Sequence, residues 1–336
     1  MLLLPDEELR LIDSFGRVAR KLRLSVIDKC NFRCNFCMPE TPEWLPNEKV
    51  LTFEEIVRLV KIFHAFGIDR VRVTGGEPLV RKDIEQLVSM LSLVPGIGRL
   101  GMTTNGFYLA EKAESLKRAG LYSVTVSLHS LRHSRFAGVT QRDALEKVIE
   151  GIRAARNAHF ESVKVNSVVI RGYNDDEILD FAAMAHDEGL NVRFIEYMPF
   201  DGKKMWDTSK VVNGEEILAK IKTKYEIVPL EREKGSTAVN YRFKSGNGEF
   251  GIITSISKPF CSDCDRLRLT ADGKLIPCMF DNHEYNLGEL LRGGASDIAI
   301  ADFLKRTVKL KAPGVETLLK QNSTLHHVRP MYVTGG

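Results

Sequence analysis

Six cysteines stand in this chain of 336 residues, and they fall into two groups of three. The first group is Cys30, Cys34 and Cys37, a C-x3-C-x2-C run within Cys30-Asn31-Phe32-Arg33-Cys34-Asn35-Phe36-Cys37. The second is Cys261-Ser262-Asp263-Cys264, followed by Cys278. Thiolates are soft ligands that suit zinc or iron–sulfur clusters. Structural zinc sites close with four ligands, whereas three thiolates in one tight loop leave one iron of a four-iron cube without a protein ligand. An iron with an open position can bind a substrate or cosubstrate. For the second group zinc stays open as well, with His283 as a fourth ligand. A thioredoxin-type dithiol is disfavoured there, because no strand–CxxC–helix pattern surrounds it. Arg266 and Arg268, two apart, place two guanidinium groups on one face of an extended segment. Such a pair suits a phosphate-bearing or carboxylate ligand.

From Leu22 to Pro199 apolar strand-like runs alternate with amphipathic helical stretches. The patterning predicts strands at Leu22–Ile27, Asp69–Thr74, Arg99–Thr104, Tyr122–Leu128, Val163–Ile170 and Asn191–Tyr197. It predicts helices at Phe53–Phe66, Lys82–Leu93, Ala110–Ala119, Arg142–Asn157 and Asp175–Glu188. Thr52 and Glu55 form a capping box, and Gly67, Gly120 and Gly189 are helix stops. Short connections between alternating strands and helices imply a parallel sheet, and six such units fit an incomplete barrel or an open wound sheet. In either, chemistry belongs at the carboxyl ends of the strands. Cys30, the Gly75-Gly76-Glu77-Pro78 run, Thr103-Thr104-Asn105-Gly106, Ser127 and Met198 all fall there. After Pro199 the rhythm breaks. A helix is expected near Asn213–Lys224, then β runs at Val239–Phe243 and Phe250–Ile256 joined by a Ser245–Gly248 hairpin. Residues 1–212 therefore read as a strand–helix domain and 213–336 as a smaller lobe.

Composition is that of a globular protein, 43% hydrophobic and 27% charged. A net charge of +4, from 48 basic and 44 acidic side chains, is too balanced to argue for nucleic acid. No run approaches the roughly 18 apolar residues of a membrane span. The apolar start, Met1–Pro5, passes at once into Asp6, Glu7 and Glu8, unlike a secretory or transit segment. A reducing cytoplasm, where thiols stay free for metal, is the expected location.

The Cys30–Cys37 run resembles the signature of radical S-adenosylmethionine enzymes, and Gly75-Gly76-Glu77-Pro78 resembles their second motif. That resemblance implies a [4Fe–4S] cluster on Cys30, Cys34 and Cys37, with S-adenosylmethionine on its open iron. The chain is further similar to the branch of this family that cyclises GTP at the first step of molybdenum cofactor biosynthesis. Similarity runs from Phe15 to Gly336, most specifically in Leu22–Pro39, Val73–Lys82, Thr103–Gly106, Arg193–Pro199, Phe260–Phe280 and the terminal glycine pair. It implies an α/β fold, an incomplete (βα)6 TIM-type barrel with a smaller C-terminal α+β lobe carrying a second [4Fe–4S] cluster on Cys261, Cys264 and Cys278. Phe36, Gly76, Ser127 and Met198 are implied contacts of S-adenosylmethionine. Arg23, Arg72, Thr103, Lys164, Arg193, Arg266, Leu267 (by backbone) and Arg268 are implied contacts of GTP. Arg266, Arg268, Gly335 and Gly336 are implied to act in the reaction, the glycines by threading into the active site. Independently, Arg23, Arg72, Lys164 and Arg193 fall on strands, and buried cations there wait for an anion; the plain alternative is a salt bridge to a carboxylate such as Glu196.

The pathway implies a reductant protein and a downstream cyclic pyranopterin monophosphate synthase as partners, and the family a homodimer or monomer. One departure stands out: Ser127-Leu128-His129-Ser130 carries histidine where the family has aspartate. Two other readings stay open, a peptide-modifying radical enzyme with an auxiliary cluster and a non-catalytic zinc module.

Overall fold

In each early strand, β-branched and aliphatic residues alternate with cations and hydroxyls, so one face is apolar and the other polar. A computed structural model describes residues 10–200, 206–315 and 329–335. Six strands lie side by side in chain order, each parallel to the next: β1 (Lys21–Ser25), β2 (Arg70–Thr74), β3 (Arg99–Thr104), β4 (Ser123–Ser127), β5 (Ser162–Val169) and β6 (Asn191–Glu196). Helices fill the crossovers: α1 (Phe53–Ala65), α2 (Ile84–Ser92), α3 (Leu109–Arg118), α4 (His133–Thr140) with α5 (Leu145–Asn157), and α6 (Ile178–Glu188). The apolar faces of the strands (Leu22, Leu24, Val71, Val73, Met102, Val124, Val126, Val165, Phe194) are buried with Ile56, Phe63, Leu87, Leu116, Ile152 and Phe181 of the helices in one core. The fold is thus α/β with a mostly parallel sheet, as the alternation predicts. The expected capping box is formed: the Thr52 hydroxyl accepts from Glu55 N–H and the Glu55 carboxylate accepts from Thr52 N–H.

The stretch read as one helix, Arg142–Asn157, begins at Leu145, and α4 stands before it unannounced. Only Phe136, Val139 and Thr140 of α4 are buried, too few to set a period.

The later strands extend both edges of the same sheet. After α7 (Gly214–Lys222) come β7 (Ile227–Pro229), β8 (Val239–Phe243) and β9 (Glu249–Ile253); β8 and β9 pair antiparallel, as the hairpin signal predicts, and β9 joins β6 in parallel. Then β10 (Arg266–Leu269) joins the other edge, parallel to β1, followed by β11 (Lys274–Ile276) and β12 (Tyr285–Asn286). Among the described residues helices α8 (Leu287–Arg292) and α9 (Asp297–Val308) follow, and after them the short helix Met331–Thr334. Among the described residues no helix is long and apolar enough to cross a membrane.

Candidate active site

The polar face of the sheet is a field of cations. Register sets Lys21 beside Arg70 and Arg266, and Arg23 beside Arg72 and Arg268. Lys164 and Arg193 continue it on β5 and β6. At the amino ends of the strands Lys21 pairs with Asp265 at 2.9 Å and Arg70 lies 3.7 Å from Asp69. Further in, Arg72 donates to neutral groups, while Glu233 and Glu249 lend Lys164 some negative charge. Arg72 donates to the Met102 carbonyl (3.3 Å) and the Thr125 hydroxyl (3.0 Å), and the buried Nε of Arg193 has no hydrogen-bond partner among the described residues. The plain alternative fails at Glu196: this buried carboxylate accepts from the amides of Gly214, Ile256 and Ser257 and from the Ser257 hydroxyl, not from a cation. Burial and mutual repulsion hold the guanidinium groups below their ordinary range, Arg72 and Arg268 at about 10 and Arg23 well down. Burial, with Arg193 and Arg72 nearby, takes Lys164 to about 8. Such a cluster is relieved by an anion.

The first cysteine triplet sits in the loop leaving β1. That loop is held on one side by Val139 and Thr140, whose carbonyls accept from Asn35 and Arg33 N–H. On the other it rests on the turn after β2. A Cβ at Gly76 would strike the carbonyls of Asp28 and Lys29, and one at Gly75 (φ +155°) the backbone of Ile27. The glycine pair is therefore required by close packing of the cysteine loop's own stem. Glu77, next in the motif, is buried and accepts from the Thr104 hydroxyl, Asn105 N–H (both 2.6 Å) and Leu79 N–H (3.1 Å). Burial still pushes its carboxyl up to about 7. Asn105 Nδ2 lies 3.8 Å from Cys30 Sγ, and the Phe32 amide donates to the same sulfur at 3.4 Å. Burial lifts Cys30 to about 11, Cys37 to about 12 and Cys34 well above the usual thiol range; Glu77 adds to the rise at Cys30, Cys30 to that at Cys37, and Cys37 and Cys30 to that at Cys34. Three half-buried thiols whose charges act on one another in this way fit a positively charged metal core, which deprotonates its ligands on binding.

The second triplet flanks β10. Burial pushes Cys261 up and Cys278 up to about 11. It also pushes Cys264 up, but the charges of Arg266 and Lys311, with hydrogen bonds from Arg266, outweigh that and hold the thiol at about 7. Arg266 Nη2 donates to Cys264 Sγ at 3.2 Å. His283, the fourth ligand of the zinc alternative, is exposed and bound through Nδ1 to Asp281 at 2.6 Å.

One cavity gathers these parts. It is lined by all six cysteines, by Phe36, Gly76, Ser127 and Met198, and by Arg23, Thr103, Arg193, Arg266 and Arg268. Arg72 and Lys164 share the cationic face but do not line the cavity, and Leu267 points its fully buried side chain into the core. The carbonyl of Gly335 accepts from Arg268, and a Cβ at Gly335 would stand 2.7 Å from Thr74 Cγ2 and 3.5 Å from Ser25 Cβ. The tail thus reaches the interior face of β1 and β2. Gly336 lies outside the described residues. Met331 and Tyr332 line the same cavity, and the Tyr332 amide donates to the Cys37 thiol.

His129 also lines the cavity, edge-on to Phe36 with ring centroids 4.8 Å apart. Its Nδ1 accepts from Val168 N–H at 3.1 Å. An aspartate could take the same hydrogen bond, so the histidine keeps the acceptor and removes the charge. Tyr332 and Lys311 escape sequence reasoning, since nothing in their neighbourhoods marks them; Asn105 stands in the expected strand-end run, but its closeness to Cys30 appears only in the fold. Glu77 could have been found from the motif that contains it.

The model described as the Radical SAM superfamily matches residues 24–185, and that described as Molybdenum Cofactor Synthesis C matches 190–317. A GTP 3′,8-cyclase of Aquifex aeolicus is 45% identical over 82% of this chain and 87% of its own length. One of Moorella thermoacetica is 44% identical over 89% and 93%. Human molybdenum cofactor biosynthesis protein 1 is 45% identical over 85% of this chain, which spans only 45% of that relative. Among solved structures, Streptococcus suis SuiB bound to precursor peptide SuiA superposes with a TM-score of 0.64 at 13% identity, over 97% of this chain and 77% of that one; the likeness is one of fold. Radical S-adenosylmethionine chemistry implies a [4Fe–4S] cluster and S-adenosylmethionine, and the half-buried Cys30, Cys34 and Cys37 fit that cluster. With two relatives matched along most of both chains, the protein belongs to the GTP 3′,8-cyclase family of radical S-adenosylmethionine enzymes.

Proposed function

We propose that this chain converts GTP into (8S)-3′,8-cyclo-7,8-dihydroguanosine 5′-triphosphate, the first step of molybdenum cofactor biosynthesis. The observation that carries the reading is the meeting of two cysteine triplets and four arginines on the wall of one cavity. Cys30, Cys34 and Cys37 hold one [4Fe–4S] cluster, and Cys261, Cys264 and Cys278 a second, each with one iron left for a small molecule. When bound, the first cluster and S-adenosylmethionine supply a carbon radical able to take the hydrogen atom from C3′ of the ribose.

The chain's own residues do the rest. Phe36, Gly76, Ser127 and Met198 hold S-adenosylmethionine. Arg23, Arg72, Thr103, Lys164, Arg193, Arg266, the Leu267 backbone and Arg268 hold GTP, the triphosphate supplying negative charge to a face dominated by cations. An anion there also favours the charged form of Lys164, which burial and neighbouring guanidinium groups hold at about 8. Arg268, Gly335 and Gly336 set the ribose in place so that C3′ can bond to C8 of the guanine. Orientation of this kind is worth roughly 7–11 kcal/mol in favourable cases. In this reading the six parallel strands curl as an incomplete (βα)6 barrel, residues 1–212, and residues 213–336 form the lobe that covers its mouth and keeps water from the radical.

Anaerobic incubation of iron-reconstituted protein with S-adenosylmethionine, reductant and each nucleoside triphosphate in turn tests this. GTP alone should be consumed, by protein carrying about eight irons. A colourless preparation holding zinc, or turnover of a peptide and of no nucleotide, would sink the proposal.

A further inference from the structure

The segment leaving α9 is packed onto the second cysteine turn. A Cβ at Gly314 would stand 2.5 Å from Cys261 Cβ and 2.9 Å from its Sγ, so only glycine allows the approach. The Val315 amide donates to the Cys261 thiol. From the other side comes Arg17, buried and paired with Asp13 at 2.6 Å. Its Nη1 donates to the carbonyls of Cys261 and Pro313, both at 2.9 Å, and its Nη2 to that of Ala312 at 2.7 Å. The turn that carries Cys261 and Cys264 is therefore braced from behind by two basic side chains.

The second is Lys311, only 3% exposed. Its Nζ donates to the carbonyls of Cys264 and Arg266, each at 3.0 Å, and lies 3.6 Å from Cys264 Sγ. Three acceptors around one nitrogen take the three N–H bonds of an ammonium. Arg17 has a carboxylate; none of the three acceptors of Lys311 is one. A buried cation costs several kcal/mol unless an anion compensates it, and among the described residues the acidic group against Lys311 Nζ is the Cys264 thiol, an anion once it is deprotonated.

We infer that Lys311 is the counter-charge of the second cysteine triplet: a positioning residue whose ammonium stabilises the metal-loaded thiolates and raises the reduction potential of the group they hold. The inference rests on the reading of Cys261, Cys264 and Cys278 as ligands of a second cluster. Its physical basis is that net charge and hydrogen bonds to the sulfurs set the potential of such clusters. A fixed positive charge favours the added electron.

The test uses full-length protein with Cys30, Cys34 and Cys37 changed to alanine, so that only the second triplet can be loaded. Iron content and the midpoint potential, followed by electron paramagnetic resonance during a redox titration, are measured for this parent and for Lys311→Met and Lys311→Arg. About four irons are expected in the parent; a parent that holds almost none would overturn the reading of the triplet itself. With the parent loaded, Lys311→Met should lose most of its iron, or keep it with the midpoint shifted to a more negative value. Lys311→Arg should stay close to the parent in both. A Lys311→Met protein equal to the parent in iron and midpoint would overturn the inference. So would a Lys311→Arg protein as depleted as Lys311→Met, since shape and not charge would then matter. Should Lys311→Met fail to fold by circular dichroism, Lys311→Gln, which removes the charge but keeps donors, is read by the same outcomes.

Discussion

Arg266 and Arg268 differ in what they touch, and so in what their loss should do. Arg266 donates to a cysteine thiol, whereas Arg268 donates to the carbonyl of Gly335 and lies 3.3 Å from Met279 Sδ. Charge-assisted bonds to phosphate are worth about twice a neutral one. Arg266→Ala and Arg268→Ala should each lower cyclisation roughly a hundredfold, about 2.7 kcal/mol, while S-adenosylmethionine cleavage continues uncoupled from product. Cyclisation within twofold of wild type in both, read by product formation per methionine released, would remove the nucleotide from these residues. His129 answers to pH instead. Burial holds its imidazole down at about 4, against an ordinary 6.5. As pH falls below 6.5 the unfolded chain takes up a proton that the folded chain refuses. This contribution to stability is therefore complete above 6.5 and is lost as the pH drops toward 4. His129→Asn can still accept from Val168 N–H and cannot titrate. Between pH 7 and pH 5 the wild-type melting temperature should fall further than that of the variant; parallel profiles would mean that His129 does not titrate as the burial implies.

At the level of elements, two close approaches set the cysteine loop. Gly76→Ala drives a methyl into the Asp28 and Lys29 carbonyls. The expected result is a loss of a few kcal/mol of stability, in the range of overpacking changes, with poor iron uptake; a variant that melts and loads like wild type would show that the loop can move aside. Thr52→Ala should cost only about 1 kcal/mol, the usual value of an N-cap, visible as a small shift in the denaturation midpoint with activity unchanged. How much of this was legible follows from the period of each element. β1 to β6 could be read because cation or hydroxyl alternates with aliphatic over five or more residues, and all six lie within two residues of the expected bounds. β10 was legible only as an extended segment, from the alternation of Arg266 and Arg268; its place at the sheet edge comes from pairing with β1, which no local pattern announces. In the site, cysteine spacing marks the triplets directly. Arg17 carries no such mark, because its partner Cys261 is 244 residues away, and Lys311 acts through carbonyls that any sequence would supply.

For the molecule as a whole, the tail is the joint between the two cysteine sites. Tyr332 meets Cys37, packs edge-on against Trp44 at 5.6 Å, and is followed two residues later by the carbonyl of Thr334, 3.4 Å from Arg268. Deleting Gly335 and Gly336 should abolish cyclisation and leave the melting temperature within a few degrees, since few core contacts are lost. Full-rate cyclisation by the truncated protein, followed by product mass, would deny the tail any part in the reaction.

The pairing of β9 with β6 and of β10 with β1 has a consequence for synthesis on the ribosome. Both raw margins of the six-stranded array are sealed by strands made only after residue 248. Until then a nascent chain presents two rows of unsatisfied amides and carbonyls at once, the surface from which strand-to-strand aggregation starts. Ending translation at residue 200 should therefore yield inclusion bodies rather than a soluble half, and the time spent between the sixth strand and the tenth is when this polypeptide most needs a chaperone.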